Sequence, residues 1–201
     1  MVFFKYISFL SFFLLSSFTY GDDTKSNRIE VLVNENIITK YDIIQRLKIN
    51  SILNRIEIND DNYNLLLNAV IDDLVVEKLK IIKIDEYKIN FEKVELDQFE
   101  NRFYSSSNYN EEDLKELFSI NNIDYSYLIE IFEIDLKWQK LIYGLYYRVS
   151  SVTEQEVIDM VVKNPDINEE IARELLLQKQ LELKSIKLIK DLKDEATIEY
   201  K

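Results

Sequence analysis

The chain alternates before it turns helical. From Ile29 to Thr39 it reads IEVLVNENIIT, with Ile29, Val31 and Val33 on one side of an extended run, Asn34-Glu35 as a two-residue turn and Asn36 to Ile38 as a short return. Period-two alternation on both sides of an Asn-led dipeptide predicts a β-hairpin. Thr39 ends it. With Asp42 it fits the reciprocal capping pattern, in which a hydroxyl accepts from a free helix N–H and the acid reaches back, so a helix is expected from Lys40 to about Asn50.

From there the apolar positions recur at helical spacing. Asn59-Asp60-Asp61 is read as the cap of a longer helix reaching about Lys83, with Leu67, Ile71, Leu74, Val75, Leu79 and Ile82 on one broad face. A third helix follows Asn90 and carries Phe91, Val94, Phe99 and Phe103 up to the polar tract SSSNYN; Asn110 with Asp113 caps a short fourth that holds Leu114, Leu117 and Phe118. Tyr125 to Tyr147 reads as one helix, polar only along Glu130, Glu133, Lys137 and Lys140, with Glu133 four residues ahead of Lys137 in the favourable order. A helix apolar around most of its circumference is enclosed by neighbours, so this one is the expected centre.

Thr153 and Glu156 repeat the capping pattern for a helix ending near Val162. KNPDIN then breaks the chain around its only proline, Pro165, and a final helix from about Asn168 to Lys193 sets Leu181, Leu188, Ile189 and Leu192 on one side. In ATIEY the alternation returns with Ala196, Ile198 and Tyr200. A hairpin alone is marginal in water and a lone strand is worse. The two ends are therefore expected to meet in a three-stranded sheet, with the last helix packed beside the first. The fold class is mainly α: a helical bundle with a small β-sheet joining an N-terminal hairpin to the C-terminal strand.

Composition agrees with this. Among 201 residues, 47% are hydrophobic, and only two Gly and one Pro punctuate the chain, which suits long helices and disfavours an all-β design. Residues 1–21, MVFFKYISFLSFFLLSSFTYG, have the order of a secretory signal peptide: a Lys, an apolar run from about Tyr6 to Leu15, then small residues around Tyr20. Cleavage there starts the mature chain at Asp22; an apolar run extended through Phe18 and Tyr20 would instead leave an uncleaved anchor. Residues 22–27 (DDTKSN) read as a disordered leader.

Charge narrows the partners. The formal net charge is −12, and the Lys and Arg are dispersed among carboxylates, which excludes a nucleic-acid binder dependent on a basic face. There is no His and no Cys, which removes the usual zinc ligands, Ser-His-Asp and Cys-His nucleophiles, and any disulfide framework. Asp60, Asn62 and Asn64 begin like a calcium loop, but no Gly follows and Ile71 stands at the ligating twelfth position. Asp72-Asp73 and Glu111-Glu112-Asp113 read as solvated or capping carboxylates. No enzyme is expected, and no cofactor, metal or small-molecule substrate.

Aromatic side chains are the remaining resource, with 13 Tyr, 11 Phe and one Trp. Most are core, but a groove between helices walled by aromatics would suit apolar segments of another chain. The candidates for lining it are Phe103, Tyr104, Phe118, Phe132, Trp138, Tyr143 and Tyr146.

The order of parts resembles a known family. IEVLVNENIIT leading into KYDIIQRL, then AVIDDLVVEKLKIIKI, NFEKVELDQFENRF, and NEEDLKELFSINNIDYSYLIEIFEIDLKWQKLIYGLYYRVSSVTEQEV are together similar to the N-terminal domain of the SurA family of periplasmic chaperones. The long charged helix before ATIEYK resembles that family's closing segment, which folds back on the N-terminal domain. The resemblance implies a chaperone domain over residues 28–163 and a C-terminal helix and strand over 164–201. Family members usually carry parvulin-type prolyl isomerase domains where this chain has only KNPDIN, and the missing His agrees with that departure. What is implied is a periplasmic, ATP-independent holdase for unfolded outer-membrane or other envelope proteins, without isomerisation. A structural or adaptor subunit serving one dedicated envelope partner, membrane-tethered if residues 1–21 are retained, is the competing reading.

Overall fold

The change of rhythm at Thr39 is a change of backbone. The computed structural model describes residues 27–201, so the signal-peptide segment and all but the last residue of the leader lie outside the described residues. Strands β1 (Ile29–Val33) and β2 (Asn36–Thr39) pair antiparallel, with Val31 opposite Ile38 and Val33 opposite Asn36. Val31, Val33 and Ile38 are buried, so the sheet has one face on the core. Strand β3 (Ile198–Tyr200) joins the other edge of β1, also antiparallel, and the order β2-β1-β3 is the three-stranded sheet that the alternation at both ends predicts.

Asn34 holds this junction. Its backbone takes φ 53°, a left-handed conformation that Asn tolerates better than most residues. Its N–H donates to the Thr197 carbonyl at 2.8 Å, and its Oδ1 accepts from the Thr197 N–H at 2.9 Å. Asn34→Ala therefore loses a bond and strains the turn, at an expected cost of about 1–2 kcal/mol in urea unfolding. Asn34→Gly, which accepts the φ but still loses the bond, is expected to fall between Asn34→Ala and the natural chain.

Helix α1 (Lys40–Asn54) begins with the predicted reciprocal cap: Thr39 Oγ1 accepts from Asp42 N–H, and Asp42 Oδ2 accepts from Thr39 N–H at 2.9 Å. It runs a turn past Asn50 because Ile52 and Leu53 pack on the core, and Arg55 ends it at φ 55°. Helix α2 (Tyr63–Glu86) starts later than its supposed cap. Asn59 Oδ1 accepts from the N–H groups of Asp61 and Asn62, so this polar cluster organises the preceding turn instead. Helix α3 (Lys93–Ser106) is capped reciprocally by Glu92 and Glu95, and α4 (Glu111–Ile120) by Asn110, which accepts from Asp113 N–H at 2.8 Å. Helix α5 (Ser126–Tyr146) ends in a 3-10 turn, Tyr147–Val149. Thr153 and Glu156 cap α6 (Glu154–Lys163), and Asn168 caps α7 (Glu169–Glu195).

Three apolar clusters hold these elements. The first joins the sheet to α1 and α2 through Val31, Ile38, Leu47, Leu74 and Leu79; the second gathers Ile49, Leu114, Phe118, Leu128 and Phe132 from α1, α4 and α5. The third unites Ile84, Trp138, Leu141 and Ile142 with Leu181, Leu188 and Ile189 of α7. Helix α5 lies against α2, α3 and α7, as its apolar circumference requires. The last helix packs along α2, α5 and α6, not beside α1 as expected. The apolar face of α1 is already used: Ile43 and Leu47 join the sheet and α2, and Ile49 the second cluster. Polar ties cross between the helices, Lys140 to Glu95 at 2.7 Å and Lys80 to Asp135 at 2.9 Å. The expected Glu133–Lys137 pair is not among the ion pairs of the described residues; Lys137 sits 5.2 Å over the Phe91 ring.

Candidate functional site

The seven aromatic candidates separate into two groups. Phe103, Tyr104, Phe118 and Phe132 all belong to the second cluster, with ring centroids 4.8 Å apart for Phe103 and Phe132 and 5.4 Å for Phe103 and Tyr104. Phe118 is 0% and Phe132 4% exposed, both packed inside that cluster. Helix α4 has only ten residues and no second apolar face, so it must bury Leu114 and Phe118 to stay attached. Phe103 and Tyr104 are half-buried, and the Tyr104 hydroxyl shares a hydrogen bond with that of Tyr125. Removal from water pushes both phenols up, so they remain neutral partners.

Trp138, Tyr143 and Tyr146 lie at the other end of α5, on the side of α7. The Trp138 indole is buried and its N–H donates to Ser185 Oγ of α7 at 2.8 Å, pinning the two helices. Tyr146 is half-buried on the third cluster. Tyr143 is 51% exposed and stacks on Tyr147, also exposed, with centroids 4.4 Å apart and planes inclined by 24°.

These residues border an open groove between α5 and α7. One part, of about 460 Å³, is lined by Trp138, Gln139, Ile142, Tyr143, Gln178, Leu181, Glu182 and Ser185. The next, of about 750 Å³, shares Tyr143, Gln178 and Leu181 with it and continues past Tyr147, Leu177, Arg173, Glu174, Glu170 and Glu169. Helical spacing sorts the lining. Trp138 and Ile142 from α5 with Leu177 and Leu181 from α7 make the floor; Gln139, Tyr143 and Tyr147, at i, i+4 and i+8, make one wall. The ridge Glu170, Glu174, Gln178 and Glu182 makes the other.

The far wall is braced from behind. Arg173 donates to Glu154 Oε1 at 2.6 Å, and Gln180 Nε2 to the Ser151 carbonyl at 2.7 Å, tying α7 to the segment that enters α6. Crowding by the surrounding protein first, and the Tyr147 phenol second, push the Tyr143 hydroxyl up, so that hydroxyl carries no charge at neutral pH.

Sequence reasoning missed Leu177 as a lining residue and assigned Leu181 only to the buried stripe. It also left Tyr147 out of the seven candidates, although Tyr147 stands four residues after Tyr143 in the sequence. Among the described residues, no group of three or more His, Cys, Asp or Glu is placed to hold a metal ion, and no helix is long and apolar enough to cross a membrane.

No family model matches the chain, and no curated protein matches it. Among solved structures it is similar to one described in a report on the virulence factor PEB4 and the periplasmic protein Cj1289, two structurally related SurA-like chaperones of Campylobacter jejuni. Sequence identity is 23%, the TM-score is 0.38, and the match covers 70% of this chain and 51% of that one. The chain thus spans about half the length of the structure it matches.

Proposed function

We propose that this protein is an ATP-independent chaperone that shields unfolded envelope proteins in the groove between α5 and α7. The observation that carries the reading is the groove itself: half-buried Leu177 and Leu181, laid over the buried Trp138 and Ile142, beside a stacked, exposed tyrosine pair. Large amphipathic rings at a groove rim provide contact area to many sequences at low entropic cost. The order of sequence elements supports the same reading through their resemblance to the SurA family. Only residues 164–168 separate α6 from α7, where that family usually carries isomerase domains. The working body is then residues 28–163 with the C-terminal helix and strand, exported to the periplasm by residues 1–21. It holds clients without isomerising them, and it uses no cofactor.

The test is to dilute a urea-unfolded β-barrel protein into the chain from Asp22 onward while following light scattering. Suppression of aggregation at near-stoichiometric amounts, without ATP and without affinity for a folded control, is expected. Tyr143→Ser with Tyr147→Ser should weaken the effect by about tenfold, the loss of two interface aromatics, with an unchanged unfolding midpoint. No suppression at large excess by a folded chain would overturn the proposal in favour of one dedicated partner.

A further inference from the structure

The two walls of the groove differ in chemistry, and that difference selects an occupant. Facing the tyrosines, the α7 side presents four carboxylates, Glu169, Glu170, Glu174 and Glu182. None of them has an ion-pair partner among the described residues, and the one lining cation, Arg173, is committed to Glu154. Glu169 and Glu170 stand in the first turn of α7, where the helix dipole favours acids. Glu174 and Glu182 lie beyond that turn, and Glu170 and Glu174 repel each other at i, i+4. An uncompensated row of like charge beside an apolar floor is relieved by a cationic guest.

We infer that the groove is selective for extended segments with apolar or aromatic side chains at alternate positions and Lys or Arg between them. The inference rests on the reading of the groove as the client site. From Glu170 to Ser185 the groove follows α7 for about 22 Å at the helical rise. That accommodates about seven residues of extended chain, whose successive side chains point to opposite sides. Apolar side chains rest on the half-buried Leu177 and Leu181 and the exposed Tyr143 ring, over the buried Trp138 and Ile142, while the intervening cations meet the carboxylate ridge or the tyrosine faces. A second copy of this chain is a poor guest, because it carries a net charge of −12 itself.

Three labelled peptides of equal length, with the same alternating Phe and Tyr and with Lys, Gln or Glu at the intervening positions, are titrated by fluorescence anisotropy at low and high salt. The Lys peptide is expected to bind about tenfold tighter than the Gln peptide, and the Glu peptide weakest, with the differences collapsing in high salt. The variant E170Q/E174Q/E182Q should bring the Lys peptide to the affinity of the Gln peptide without lowering the thermal melt; E182Q alone should give part of that change. Equal affinity for the Lys and Gln peptides, or retained selectivity in the triple variant, would overturn the inference and leave the chaperone reading standing. Failure of all three peptides to bind a chain that still suppresses aggregation would also overturn it, placing client binding elsewhere. Failure in both assays would remove the functional proposal as well.

Discussion

Truncating Phe118 to alanine is expected to lower the unfolding free energy by about 3–5 kcal/mol, whereas Tyr143→Ala should change it by less than about 1 kcal/mol. The two residues are aromatic side chains of the same helical body, and sequence placed both among the groove candidates. Their surroundings differ. Phe118 is wholly enclosed by the cluster containing Ile49, Leu114, Ile123 and Leu128, with the Tyr125 ring at 5.9 Å. Its removal leaves a cavity and takes one of the two buried anchors of α4, a helix too short to persist without packing. Tyr143 is half in solvent, and its loss leaves no cavity. Urea titrations followed by circular dichroism separate the two effects. The opposite ranking would mean that core and groove have been assigned the wrong way round.

The ambiguity had a physical origin. On a helix that is apolar nearly all round, periodicity identifies the one polar stripe and says nothing about which apolar sector a neighbour covers. Trp138 and Tyr143 differ by little more than one turn of α5; the first is capped by Ser185 of α7, and the second faces the opening. That outcome depends on where α7 lies, a long-range placement that no local pattern encodes. The same holds for Leu181, which packs on the third cluster and also floors the groove. The acidic ridge, by contrast, was present in the sequence as Glu170, Glu174 and Glu182. It acquired meaning only once α5 was seen opposite.

Local chemistry was far more legible. The caps at Thr39, Asn110 and Thr153 need only the residue and a partner three positions on, and each stands where that rule puts it. Asn59-Asp60-Asp61 misled because several cap-forming side chains stood in a row, and they closed a turn on themselves before the helix could start. The three-stranded sheet was readable from two alternating segments at opposite ends, since neither could stand alone. The place of α7 was not, because the demand that α1 bury Ile43, Leu47 and Ile49 elsewhere is visible only in three dimensions.

A second large effect is expected where no apolar pattern pointed. Arg46 is 8% exposed on α1 and pairs with Glu77 of α2, whose side chain is 15% exposed. Beside the pair, Tyr127 of α5 donates to Asp42 Oδ1 at 3.1 Å, and Gln45 Nε2 donates to the Asn122 carbonyl at 3.4 Å. Arg46 Nε and Gln45 Oε1 have no hydrogen-bond partner among the described residues, so the seam is only partly satisfied before any change is made. Glu77→Ala would leave the guanidinium without its ion-pair partner beside Leu74, Tyr127 and Ile131, in a cavity that Asp42 and Glu130 also line, at an expected cost of about 3 kcal/mol. Arg46→Met combined with Glu77→Leu removes both charges and their desolvation together. Its stability is expected to return to within about 1 kcal/mol of the natural chain, or to exceed it. If the double variant were as unstable as Glu77→Ala, the pair would be contributing net attraction well beyond its desolvation cost. Because the seam joins α1, α2 and the first half of α5, away from Tyr143 and Tyr147, the double variant should suppress client aggregation as the natural chain does. A loss of activity at unchanged stability would mean that the α1–α2 junction communicates with the groove.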